Sequence, residues 1–248
     1  MPAGHTASGC CRAGISGILL LVGTTTAAAQ QVDSTPAQGQ GQGASGGSWI
    51  SSDSVVRRPG LPTLGKWMLA ADGTPAHWLG EVYQGKRLRE PINLVIVDEG
   101  ATSAEDAKKK LITAAAAAGY AIRMGHSSGY QGYVGDQLYA QIPSGWDDAF
   151  SDEPFALSNN HGRIFGPHQA AGAYVFVGAF SREEVVPFRW PGHRYASFNQ
   201  ARDDFARRLD QSSQFKLGGT VRLENALTAD GEVTTGDHDG MATLMRAQ

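Results

Sequence analysis

The sequence predicts an α+β fold: a mainly antiparallel sheet with two helices packed on one face, preceded by a signal peptide and a flexible linker. Three observations predict it. Residues 91–98 (PINLVIVD) form a nearly continuous apolar run between Pro91 and Gly100, the pattern of a buried central strand. Two other stretches carry apolar residues at helical spacing, each opened by a capping signal. Further short segments have strand character, and helices and strands mix without a strict βαβ repeat.

The first helix is expected to start at Thr102 or Ser103, where Thr102 and Glu105 have the spacing of a capping box. Ala104, Ala107, Leu111, Ala115 and Ala118 mark its buried face, Lys108, Lys109 and Lys110 face solvent, and Gly119 stands where a helix ends. Residues 120–124 then read as a strand, which makes a β-α-β unit. Residues 125–136 (GHSSGYQGYVGD), with four glycines, read as a loop, and they do not match the dinucleotide fingerprint G-x-G-x-x-G. Residues 138–142 form a short strand and 143–154 an Asp-containing loop. Strands are expected at 161–165, 173–180 and 194–198. The second helix opens with Ser197 and Gln200 as a capping box and carries the stripe Phe198, Ala201, Phe205 and Leu209, with Arg202, Arg207 and Arg208 on its other side. Alternation at Phe215, Leu217, Val221 and Leu223 predicts a half-buried strand.

The domain plan follows from composition. Residues 1–29 read as a signal peptide: Arg12, an apolar run over residues 13–22, then Ala27-Ala28-Ala29. Cys10 and Cys11 precede that run, so cleavage leaves a cysteine-free mature chain without disulfides, suited to a bacterial periplasm or exterior. Residues 30–59 read as a Gly/Gln/Ser-rich linker, 60–228 as a single α+β domain, and 229–248 as an acidic flexible tail. With 21 basic against 24 acidic residues, the net charge of −3 argues against nucleic acid as a partner. No apolar run is long enough for a membrane span once the signal is removed.

The densest polar cluster runs from Ser158 to His168 (SNNHGRIFGPH). Within it His161, and beyond it His193, are candidate catalytic bases. Asn160, Arg163, His168 and Arg194 are candidate binding residues, Arg163 because its planar fork suits a carboxylate or phosphate. These side chains also have structural uses, such as capping a turn or pointing outward from an edge strand. His161, His168 and His193 could share a metal only if strand pairing gathers them, and neither metal nor cofactor is expected. The sequence offers no convincing Gly-x-Ser-x-Gly match on a strand-to-helix turn, where a serine nucleophile would stand. Ser127-Ser128 beside His126 is the nearest substitute.

The order Pro91-Ile92-Asn93-Leu94-Val95, a helix ending in Ala118-Gly119-Tyr120, then His161-Gly162-Arg163-Ile164-Phe165, resembles the C-terminal domain of LssY-type bacterial proteins. Tyr120 stands where that family has Trp. That domain is often attached to a membrane phosphatase domain, whose Pro-Ser-Gly-His motif this chain lacks: Pro143-Ser144-Gly145 is followed by Trp146. The resemblance implies a fold and an envelope location, and it supplies no reaction. The expected function is therefore an exported, envelope-associated binding or structural module for a small-molecule or envelope ligand. The alternative is a hydrolase acting on an anionic or ester substrate at the His/Arg cluster.

Overall fold

The computed structural model describes residues 51–187 and 192–248. The expected signal peptide, both cysteines and the linker up to residue 50 lie outside the described residues. Among the described residues, fifteen strands and two longer helices follow one another: β1 (Val55–Val56), β2 (Leu64–Gly65), β3 (His77–Tyr83), β4 (Lys86–Arg89), β5 (Leu94–Asp98), α1 (Ala104–Ala117), β6 (Ala121–Met124), β7 (Gln131–Val134), β8 (Gln137–Ile142), β9 (Asp148–Ser151), β10 (Asn159–Ala170), β11 (Ala173–Val185), β12 (His193–Ser197), α2 (Phe198–Ser212), β13 (Lys216–Arg222), β14 (Val233–Thr234) and β15 (Met241–Ala247). Twelve strands form one sheet with the path β1-β2-β7-β8-β10-β11-β5-β15-β13. β12 joins at β11, and β9 joins at β10 and carries β6. The other three make a small sheet, β14-β4-β3.

This overturns the expected architecture. Among the described residues strand predominates over helix, the large sheet curls into a half-barrel, and the helices do not pack on one face of a simple sheet. The physical reason lies in the central hairpin. β5 is buried at every position, and β10 and β11 are buried along most of their length, so both faces of the sheet need cover. On one face, Leu94, Ile96, Ile164, Phe176 and Phe180 pack with Leu111 and Ala115 of α1 and with Phe205 and Leu209 of α2. Tyr120, Ile142 and Phe150, from the β6, β8 and β9 region, enclose the same cluster. On the other face, Val95, Val97, Phe165, Val175 and Val177 meet Val56, Leu64, Met68 and Val134, so the curled sheet covers itself. Burying each such side chain contributes about 1.5–3 kcal/mol.

Several local expectations change with it. Residues expected as loops supply β7 and β9. The expected linker contributes β1, paired with β2. Residues 229–248 are no flexible tail: β15 lies between β5, to which it is parallel, and β13. Arg202 is buried rather than outward-facing, and holds that segment through Asp239 Oδ1 (2.8 Å) and the Met241 carbonyl (2.9 Å). Among the described residues, no helix is long and apolar enough to cross a membrane.

The helix starts follow the chemistry of their caps. Ser197 Oγ accepts from the Gln200 amide as expected, while α1 is capped by Ser103, which accepts from Asp106 N, and not by Thr102. At the far end of α1, Tyr120 N donates to Ala115 O and Gly119 N to Ala116 O, with Gly119 at φ +84°. That pair of bonds is the Schellman arrangement, which requires the left-handed conformation. Gly119→Ala is expected to cost about 1 kcal/mol, measured as a lower denaturation midpoint with an unchanged slope.

Asn93 ties the two sides of the core together. Its side chain is fully buried, donates to the Phe180 carbonyl (2.9 Å) and accepts from the Phe180 amide (3.0 Å). It thereby pairs the backbone of β11 just before β5 begins.

Candidate functional site

The β10–β11 register decides which polar residues meet. Asn159 faces Glu183 and His161 faces Ser181 as direct cross-strand partners, and Arg163 faces Ala179. Side chains alternate across a strand, so Asn159, His161, Arg163 and Phe165 share one face with Val177, Ala179, Ser181 and Glu183. Phe165, Val177 and Ala179 belong to the core face away from the helices. The polar cluster therefore continues that core face toward the open end of the hairpin.

Four ring and carboxyl groups converge there. His126, at the start of the Gly-rich segment, His161 and Glu183 each offer a ligating atom, and these atoms all lie within 4.8 Å of one another. His193 of β12 joins them, with Nδ1 3.2 Å from Glu183 Oε1, close enough for an ion pair but not aligned as a hydrogen bond. All four residues are at least nine-tenths buried. The His126 and His161 rings stack with centroids 4.4 Å apart. Phe155 covers the group, stacked on His193 at 4.3 Å and edge-on to His126 at 5.4 Å. Gly125 makes room for it: a Cβ there would stand 2.8 Å from Phe155 Cβ.

Asn159 orients two members of the group. Its amide nitrogen donates to Glu183 Oε1 (2.7 Å) and to the Leu157 carbonyl (2.9 Å). Its oxygen therefore accepts from His161 Nδ1 (3.0 Å), which assigns the proton to Nδ1 and leaves a lone pair on Nε2. Ser181 Oγ lies 3.3 Å from that Nε2. The Nε2 of His126 and the Nδ1 of His193 are buried without a hydrogen-bond partner.

Burial sets the protonation states. It lowers His126 to about 4, helped by the positive charge of Arg163 and by His193. It pushes His161 well below the ordinary imidazole value and lowers His193 as well. Burial also raises the Glu183 carboxyl to about 7, against the hydrogen bond from Asn159 and the charge of Arg163. At neutral pH the three imidazoles are thus uncharged, the form that binds metals.

Of the residues singled out from sequence, His161 and His193 meet at Glu183. Arg163 lies on the same face, but its guanidinium is committed: Nε and Nη2 donate to the Ser127 carbonyl (3.2 and 2.6 Å), and the group lies 4.9 Å over the Tyr130 ring. Asn160 points to the opposite face, held by Asp152 through two 2.7 Å bonds. His168 stands beyond the bulge toward the hairpin turn, 3.0 Å from the Tyr139 hydroxyl. Arg194 is exposed and paired with Glu184 at 2.8 Å. Metal sharing by His161, His168 and His193 is therefore not what the fold assembles. The fold brings in His126, Glu183 and Asn159, which sequence reasoning left out. No family model, no curated protein and no solved structure matches this chain.

Proposed function

We propose that this chain is an exported binding module that holds a divalent transition-metal ion at His126, His161 and Glu183, with His193 as a further donor. The observation that carries this reading is the convergence of two imidazoles and a carboxylate within 4.8 Å, each buried. Two imidazoles and one carboxylate suit Zn²⁺ and neighbouring first-row ions, and such three-residue sets leave a coordination position open for water or a ligand. The surroundings fit as well. Asn159 holds the second nitrogen of His161 and one oxygen of Glu183, the kind of outer-shell support that fixes ligand orientation. Neutral rings and a carboxyl near its titration point avoid the burial of four charges side by side. Export rests on the apolar run over residues 13–22 followed by Ala27-Ala28-Ala29, and the likeness to the LssY-type domain supports an envelope setting.

The test is metal uptake by the purified protein, followed by chelator competition. Bound metal is expected at one ion per chain, and the variant His161→Ala with Glu183→Ala should take up none. Zn²⁺ at a hundredfold excess over Kd should stabilise the fold by about 2.7 kcal/mol. No uptake of Zn²⁺, Fe²⁺, Co²⁺, Ni²⁺ or Cu²⁺, or equal uptake by the variant, would overturn the reading.

A second reading rests on the chain Ser181 hydroxyl, His161 and Asn159, a nucleophile, base and orienting amide in series. Under it the protein is a hydrolase of ester substrates. Ser181→Ala would then abolish ester cleavage while leaving metal uptake intact. Against it, Ser181 is only 1% exposed.

A further inference from the structure

The small β14-β4-β3 sheet carries a basic face that the metal site does not use. His77 pairs with Arg89 and Val82 with Arg87 across β3 and β4. Direct cross-strand partners share a face, and so do Arg87 and Arg89, two residues apart on one strand. His77, Arg87 and Arg89 therefore stand together, while Trp78 and Leu88 are buried on the other face. Arg87 and Arg89 bring two guanidiniums to this face, beside the Glu232 and Asp230 carboxylates, while burial and the two guanidiniums hold His77 below the ordinary imidazole value.

The donors there are held in place but not satisfied. The Arg89 guanidinium lies 5.1 Å over the Trp67 ring, which fixes its plane. Its Nε–H is shielded from solvent with no acceptor, and the Nδ1 of His77 is likewise without a partner. Arg87 meets only the exposed Glu232 carboxylate, at 4.0 Å. Asp230, whose charge acts on Arg89, already accepts from the Glu232 and Val233 amides (2.8 and 2.9 Å). Among the described residues the Arg89 guanidinium makes no hydrogen bond, so an oxyanion at its terminal N–H groups would supply the acceptors it lacks.

We infer that the His77–Arg87–Arg89 face of β3 and β4 binds a phosphate group. Donors from two guanidinium forks suit a group with several oxygens better than a two-oxygen carboxylate. The phosphate can come from a lipid headgroup or be free in solution, and the chemistry at the face is the same.

The experiment titrates the full chain with inorganic phosphate by calorimetry. A parallel arm measures co-flotation with phosphatidylcholine vesicles containing or lacking phosphatidic acid. Phosphate is expected to bind, and Arg89→Gln should weaken it about 10–100-fold, the loss of one charge-assisted hydrogen bond. Arg87→Gln, at an exposed position, should weaken binding with no change in melting temperature. Arg194→Gln, an exposed arginine elsewhere, should have no effect. Binding in both arms assigns a lipid headgroup, and binding of inorganic phosphate alone assigns a soluble phosphate. Absence of binding in both arms, or equal binding by Arg87→Gln and Arg89→Gln, would overturn the inference. Neither outcome bears on metal uptake, which uses none of these residues.

Discussion

Arg163→Met is expected to weaken Zn²⁺ binding by about 10–100-fold, although Arg163 is no part of the proposed ligand set. Its role runs through the backbone beside His126. The guanidinium donates twice to the Ser127 carbonyl and lies over Tyr130, whose hydroxyl is 2.9 Å from Ser127 Oγ. His161 and Glu183 are set by the β10–β11 ladder, whereas His126 sits on the connection between β6 and β7. Arg163 is the strut between that ladder and that connection. Methionine keeps most of the apolar stem and loses the fork, so His126 is freed from its position while the other two donors stay. A double-mutant cycle separates this from a general loss of stability. His126→Ala alone should weaken binding, and adding Arg163→Met to it should cost little more, because the donor that Arg163 positions is already gone. Fully additive losses would show that Arg163 does not act through His126. Arg163→Lys should recover only part of the affinity, since a lysine cannot reproduce the paired bonds.

The hairpin that carries the site shows why it was only half legible in the sequence. The strands at 91–98, 161–165 and 173–180 could be read from apolar runs, and α2 from its Ser197 cap, because those signals are local. Part of the polar face of β10 could be read too: His161 and Arg163 alternate on the expected strand, whereas Asn159 lies before its expected start. What could not be read was their partner. Near the turn, His168 pairs with Val175, but beyond Gly166 and Pro167 the pairing is one residue out of step, with Phe165 opposite Val177. Counting back from the turn without this bulge would set His161 against Arg182 and Asn159 against Glu184. The bulge turns Ser181 and Glu183 inward instead, and it sends Glu184 out to Arg194. His126 was hidden for a different reason. A glycine-rich segment carries no periodicity, and its place over the hairpin depends on contacts with Arg163, 36 residues away in sequence. The same holds for β15. Its residues alternate only weakly, and it is ordered by filling the gap between β5 and β13.

The second large effect is expected at Glu90, and its sign depends on pH. Glu90→Gln should stabilise the protein at pH 8 by about 3 kcal/mol and leave it nearly unchanged at pH 4. The Glu90 carboxyl is buried and has no hydrogen-bond partner among the described residues. Burial raises it to about 7, while the charge of Arg163 pulls the other way. In the unfolded chain it titrates near 4.5. Between those two values the folded state holds a proton that the unfolded state has released, so raising the pH through this window favours unfolding. Below 4.5 both states are protonated and no penalty remains. Above 7 both are ionised, and the full cost of a buried charge is present. Glutamine is neutral throughout and nearly the same shape, so it escapes the penalty only on the alkaline side. Denaturant unfolding of both proteins at pH 4, 6 and 8 checks this, with the gap between them widening as pH rises. A constant gap across the three would mean that the Glu90 charge is already compensated in the fold. A widening gap would mark Glu90 as a buried carboxyl kept at a cost beside the His126–Glu183 cluster. It would also show that stability was yielded at this end of the half-barrel, where the electrostatics of Arg163 link Glu90 to Glu183.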